Sequence, residues 1–190
     1  RVAPAQIGAD SWRAVTAGPL HTAAIKTDGT LWTWGNPTNG RLGHEGEQKH
    51  LPTSSHWTYE SPVRVGNRWE AVAAGHSHTV GIKRDGTLWA WGKNALGQLG
   101  DGTTDDRHKP TKIGSDTWRS VAAGYGFTLA IKSDGTLWAW GDGTNGRLGT
   151  GNSSYQNTPT QIGSDTNWFS VSAGASHTIA LKSDGTLWAW

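Results

Sequence analysis

A chain of 190 residues is long enough for one domain with a sizeable core, and the absence of cysteine excludes disulfides and thiolate metal sites. A net charge of +2 with no block of basic residues argues against a nucleic-acid partner, and no apolar run approaches the ~20 residues that span a bilayer. Thirteen Trp and 27 Gly, with 17% charged residues and no stretch of helical period, predict short strands joined by tight turns.

In chain order, Arg1-Val2-Ala3-Pro4 is neither an initiator Met nor a signal peptide, so a processed, excised or incomplete chain is expected. From Pro4 a pattern starts that recurs throughout. A Pro-x-x-Ile/Val-Gly element occurs at Pro4 to Gly8, Pro62 to Gly66, Pro110 to Gly114 and Pro159 to Gly163. An anchoring tryptophan follows each time, at Trp12, Trp69, Trp118 and Trp168, spaced 57, 49 and 50 residues apart. Next come the small pairs Ala17-Gly18, Ala74-Gly75, Ala123-Gly124 and Ala173-Gly174, suited to strands crowded near an axis.

The hairpin is the centre of each unit. In its clearest copy two apolar-rich runs flank Asp85-Gly86, which predicts a two-residue turn with both positions at positive φ. The same turn recurs at Asp28-Gly29, Asp134-Gly135 and Asp184-Gly185. Trp32 and Trp34, Trp89 and Trp91, and Trp138 and Trp140 lie on the returning strands. They are expected to pack between neighbouring units, each burying roughly 150–250 Å². A loop ending in Gly-x-Leu-Gly follows at Gly40 to Gly43, Gly97 to Gly100 and Gly146 to Gly149. A period near 50 residues is a unit of about four short strands, the size of one propeller blade.

The string from Ala74 to Gly100, Ala-Gly-x-x-His-Thr-x-x-Ile-Lys-x-Asp-Gly-Thr-Leu-Trp-x-Trp-Gly-x-Asn-x-x-Gly-Gln-Leu-Gly, resembles the regulator of chromosome condensation repeat, in the Trp-rich form common in bacterial proteins. The resemblance covers essentially the whole chain. It implies an all-β fold, a β-propeller of four-stranded blades, seven-bladed in most of the family. Residues 1–190 would form one segment of about three and a half blades, because the last hairpin stops at Trp190. Unpaired strand edges would then invite self-association. The resemblance implies guanine-nucleotide exchange on a small GTPase, chromatin binding or enzyme inhibition among family activities. It also suggests a secreted or cell-surface bacterial setting.

Repetition separates structure from function within the chain: a residue in every unit is structural, and one in a single unit is a candidate for recognition. His21, His78 and His177 recur, but Phe127 replaces them in the third unit, so a packing role is expected. Asp28, Asp85, Asp134 and Asp184 read as turn residues, and Lys26, Lys83, Lys132 and Lys182 as solvated edge lysines. Asp101 to Asp106 offers oxygen ligands but lacks the spacing of a calcium loop, and Asn152-Ser153-Ser154 fits a glycosylation acceptor. No motif for phosphate cradling, zinc hydrolysis or a serine nucleophile is present. The expectation is a non-enzyme that uses no cofactor and no metal.

The irregular part is the first connection, where Leu42 to Pro62 spans 20 positions against 11 in the next two units. The insertion, residues 44–60, holds His44, His50, His56 and Trp57, the one tryptophan outside the repeat. A recognition loop presenting Trp57 and Tyr59, with His50 and His56 beside them, is the expected partner-binding site. The three histidines also make a weaker candidate for zinc. The functional expectation is a protein-interaction scaffold. The alternatives are exchange activity on a small GTPase and binding of a carbohydrate or other small ligand by blade-edge aromatics.

Overall fold

The computed structural model describes residues 3–44, 49–50 and 57–190, with the backbone alone at Lys49, His50 and Trp57. The first blade contains β1 (Trp12–Ala17), β2 (His21–Lys26), β3 (Leu31–Gly35) and, beyond a two-residue β4 (Lys49–His50), the long β5 (Trp57–Gly66). All pairings are antiparallel, in the order β1-β2-β3-β5, with β4 on the outer edge of β5. The second blade runs β6 (Trp69–Ala74), β7 (His78–Lys83), β8 (Thr87–Gly92) and the first part of β9 (Arg107–Ala123). The rest of β9 opens the third blade, which continues through β10 (Phe127–Lys132), β11 (Leu137–Gly141) and β12 (Gln156–Ile162). The fourth holds β13 (Trp168–Ala173), β14 (Thr178–Lys182) and β15 (Leu187–Ala189). The result is an all-β propeller segment: a first blade of four strands with the short β4 added at its edge, two four-stranded blades, and a fourth with three strands among the described residues.

The hairpin turn differs from its expected form. Gly29 N–H donates to Lys26 O and Lys26 N–H to Thr30 O, which closes a three-residue loop. Within it only the glycine has positive φ, +85° at Gly29 and +80° to +88° in the other three units. The Asp keeps ordinary backbone because its work is done by its side chain. Asp85 Oδ1 accepts from Thr87 N–H at 3.0 Å and from Thr87 Oγ1 at 2.6 Å, and Trp89 Nε1 donates to Thr87 Oγ1 at 2.9 Å. The same clip recurs in every unit. Hydrogen bonds from Thr hold each of these carboxyls below the usual carboxylate range.

Between blades the core is aromatic and aliphatic. Val80, Ile82, Leu88, Ala90 and Leu99 of the second blade pack with Trp118, Ala130 and Trp140 of the third. The two tryptophans of a hairpin have different environments. Trp91 and Trp140 are fully buried, whereas Trp32, Trp89 and Trp138 are half-buried. A Cβ on Gly43 would come within 2.6 Å of Trp91, and one on Gly100 within 2.7 Å of Trp140. The last glycine of each Gly-x-Leu-Gly loop thus lies flat on the second hairpin tryptophan of the next blade. In the second unit Asn94, itself buried, bonds Asp101, Thr103 and Leu99 and secures that loop.

The repeated lysines are not solvated. Lys26 Nζ sits 3.9 Å from the Trp32 ring centroid and 2.9 Å from Asp10. Lys132 sits 3.6 Å from Trp138 and 2.9 Å from Asp116, and Lys182 lies 4.2 Å from Trp188 and 2.7 Å from Asp165. Each ammonium lies over the first tryptophan of its hairpin, with the anchor tryptophan ring farther off, at 4.8–5.3 Å. Lys83 keeps the ring contact at 4.0 Å, although Asn67 stands where the other units place an Asp.

Candidate functional site

The sequence candidates in residues 44–60 come out unequally. His56 and the side chains of His50 and Trp57 lie outside the described residues. Tyr59 is described, and it corrects the expectation of a ring offered from a loop. It belongs to β5, faces Gly35 in register, is 6% exposed and meets His44 edge-on with centroids 5.0 Å apart. The reason is that Tyr59, three residues before Pro62, holds the place of Arg107 and Gln156 in the next two units, and pairs with Gly35 as they pair with Gly92 and Gly141. Burial holds the His44 pKa down.

The carboxylates of the calcium candidate are engaged elsewhere. Asp101 Oδ1 accepts from Thr103 and Asn94 while Oδ2 accepts from Arg107 Nε at 2.7 Å. Burial alone would raise its pKa, but the hydrogen bonds from Thr103 and Arg107 outweigh it and hold the carboxyl low. Asp106 accepts from Asn94 N–H and from Asn39 of the first blade. Among the described residues no group of three or more His, Asp or Glu side chains gathers to hold a metal.

The histidines form a latch between blades. His21 Nε2 lies 2.7 Å from Thr79 Oγ1, and His78 Nε2 lies 2.9 Å from Thr128 Oγ1. Each Thr hydroxyl donates to a carbonyl of the preceding blade's loop, Thr79 to Arg41 O and Thr128 to Gln98 O. A hydroxyl whose proton is so used can only accept, so Nε2 carries the histidine proton. Burial pushes His21 down to about 4 and His78 down to about 3, with nearby Arg41 and His76 adding to the effect at His21. These rings are neutral packing groups. Thr178 makes the same bond to Arg147 O, but Phe127 replaces the histidine that would reach it.

A different place carries the exposed, unrepeated chemistry. The inner strands β1, β6, the second part of β9 and β13 line an axial groove of about 470 Å³. The residue after each Ala-Gly pair stands at its rim, and the four units place Pro19, His76, Tyr125 and Ala175 there. His76 and Tyr125 stack with centroids 4.2 Å apart, and Tyr125 is 52% exposed. Backbone bonds carry the rim from blade to blade, His76 N–H to Gly124 O and Tyr125 N–H to Ala175 O. His76 Nδ1 lies 2.7 Å from Ser77 Oγ. Partial burial, then Arg41 and Lys93, lower the His76 pKa, and Lys93 is exposed beside it. Comparing units position by position would have found this pair, since the slot differs in all four copies while the Ala-Gly pair before it does not.

A sequence profile of the RCC1-like domain matches residues 1–190. The chain belongs to the RCC1-like domain family. Among curated relatives, the X-linked retinitis pigmentosa GTPase regulator homolog of Caenorhabditis elegans is 37% identical over 86 residues, 45% of this chain and 6% of that protein. Protein RCC2 homolog of Danio rerio is 38% identical over 98 residues, 48% of this chain and 18% of that protein. Of solved structures, yeast RCC1 (Prp20) bound to Kap60 matches with a TM-score of 0.81 at 21% identity, covering 98% of this chain and 45% of that one. Human WBSCR16 matches at 0.80 and 22% identity, covering 94% and 46%. This RCC1-like chain thus spans less than half the length of these relatives, and the structural likeness shows the propeller fold. No helix among the described residues is long and apolar enough to cross a membrane.

Proposed function

We propose that this RCC1-like segment is a non-catalytic protein-interaction scaffold whose contact centres on the His76–Tyr125 pair at the groove rim. The carrying observation is a half-exposed tyrosine stacked on histidine at the position two beyond each inner strand, which differs in all four units. Tyrosine is favoured at interface hot spots, and two rings held by blade-to-blade backbone bonds lose little freedom on binding. Relatives support a protein as the class of partner: one is named a GTPase regulator homolog, and yeast Prp20p is described by its binding to Gsp1p and histones. Sugar stacking on the first tryptophan of each hairpin is disfavoured, because a lysine of the chain itself lies over each of those rings.

The test compares partner capture and quantitative binding by the wild-type chain, by Tyr125→Ala and His76→Ala, and by a form with residues 45–56 trimmed. Tyr125→Ala is expected to weaken binding by about 2 kcal/mol or more, roughly thirtyfold, without a change in thermal stability. Retained affinity in Tyr125→Ala together with loss in the trimmed form would transfer the contact to the insertion and Trp57. A nucleotide-exchange assay on the captured partner, if it is a GTPase, decides between scaffold and exchange factor.

A further inference from the structure

The loops that end in Gly-x-Leu-Gly in the first and third units are one structure with one charge removed. In the third, Arg147 Nε donates to Thr144 O at 2.8 Å, and its Nη1 pairs with Asp142 at 3.0 Å. In the first, Arg41 Nε donates to Thr38 O at the same 2.8 Å. Asn36 accepts from Thr38 N–H there, as Asp142 accepts from Thr144 N–H. Asn36 thus holds the place of the aspartate and brings no charge to it. The second unit has neutral Gln98 in place of the arginine. Arg41 is 3% exposed, and its Nη1 turns across the joint to His76 O at 3.2 Å. No carboxylate among the described residues pairs with it, and burial lowers its pKa. Its Nη2 has no hydrogen-bond partner among the described residues and is not sealed from solvent.

The surroundings add charge of the same sign. Arg41 and Lys93 both act on the His76 ring, and Arg41 also acts on His21. Lys93 is exposed, and its N–H donates to Ser77 O, which fixes it beside His76. A Cβ on the adjacent Gly92 would come within 3.3 Å of Arg41 Cα, so the first blade's loop lies directly against this strand end. Two permanent cations and an imidazole therefore meet at the joint between the first and second blades. A buried guanidinium without a counter-ion is costly. A carboxylate brought to it forms charge-assisted hydrogen bonds, which are among the strong ones.

We propose that this joint is a carboxylate site, at which an Asp or Glu side chain of the protein partner bonds Arg41 Nη2, with Lys93 as the second cation. The assignment rests on the rim as the contact surface and adds the partner's chemistry to it: an acidic residue beside the group that covers Tyr125. An exposed lysine contributes little to such a pair, so the buried arginine carries the selectivity. Asp142 in the third unit shows which chemistry fills the corresponding place.

The probe is a triglutamate peptide with both termini blocked, compared with triglutamine and with inorganic phosphate. Each is titrated against the chain while the side-chain NMR signals of Arg41 and His76 are followed. Triglutamate should shift both signals and triglutamine neither, with binding weakened by added salt. Asn36→Asp copies the ion pair of the third unit. It should raise the melting temperature and weaken triglutamate by about fivefold or more, because the chain then supplies its own carboxylate. Partner capture should fall in the same variant. Lys93→Gln should weaken triglutamate with no change in melting, since Lys93 is exposed. Tyr125→Ala should leave triglutamate binding intact. Partner capture that survives Tyr125→Ala but falls in Asn36→Asp would keep the carboxylate site and remove the ring contact. An Arg41 signal that ignores triglutamate would overturn the proposal, as would unchanged peptide binding or partner capture in Asn36→Asp. So would phosphate bound more tightly than triglutamate, or triglutamate bound only after residues 45–56 are trimmed, which would assign the site to Glu45 or Glu47 of the chain itself.

Discussion

At the scale of single residues, a repeated tryptophan is two different things depending on its place in the hairpin. Trp91 is sealed between blades under Gly43 and touches Trp69 edge-on at 5.5 Å. Trp89 keeps one face for Lys83 and an N–H for Thr87. Trp91→Ala should therefore cost about 3–5 kcal/mol and Trp89→Ala roughly half that, read from denaturant midpoints. The buried histidines predict an acid response of definite sign. Their folded pKa values lie below the ordinary 6.5, so the unfolded chain takes up protons first as the pH drops. Stability is full above pH 6.5 and falls below it, with the His21 contribution levelling off near pH 4 and that of His78 near pH 3, where the folded rings also protonate. His78→Phe, the residue of the third unit, should flatten that window by an amount on the order of 3 kcal/mol, seen in denaturation at pH 7 against pH 4.5. An unchanged pH slope would show that His78 is not held neutral.

At the scale of elements, the hairpin and the Gly-x-Leu-Gly loop are coupled across blades, which explains why both recur as a set. The loop glycine gives the next blade's tryptophan a flat seat, and the loop carbonyl takes the next blade's threonine proton. Two glycines separate backbone strain from this seating. Gly151→Ala meets nothing within 4 Å at φ +82°, so it bears only the left-handed backbone penalty of about 1–2 kcal/mol. Gly100→Ala has the same kind of φ, +78°, and also drives a Cβ into Trp140. Its melting temperature should fall clearly further, and equal losses would show that the seat is not tight.

At the scale of the whole molecule, the four inner strands share one axis and the blades are joined by the same few bonds, so the segment is an arc built by repetition. Exposed apolar side chains concentrate where the repetition is interrupted. Val15 and Ile7 mark the first face, and Phe169, Leu187 and Trp188 mark the last, with Tyr125 apart from both at the rim. Small sheets whose faces are covered by neighbours have few free edges, and an arc leaves two.

Four copies of a hairpin at a spacing near 50 residues determined the blade, its strand order and the structural rank of Asp85, His78 and the anchor tryptophans, because local turn chemistry and period-two alternation are written within a few residues of each other. What the tertiary structure decided was every matter settled by a side chain or strand outside the local segment, in the same blade or the next. Lys132 reads as an edge lysine until Trp138 and Asp116 close on it. Tyr59 reads as a loop aromatic until it pairs with Gly35 on the neighbouring strand. Trp89 and Trp91 are equivalent in the string and differ because only one meets the adjacent blade's glycine. The stacking of His76 on Tyr125, 49 residues away, joins two units and has no local signature. Contacts across a blade joint depend on how sheets are stacked, and a repeat states that stacking only through the side chains that vary within it.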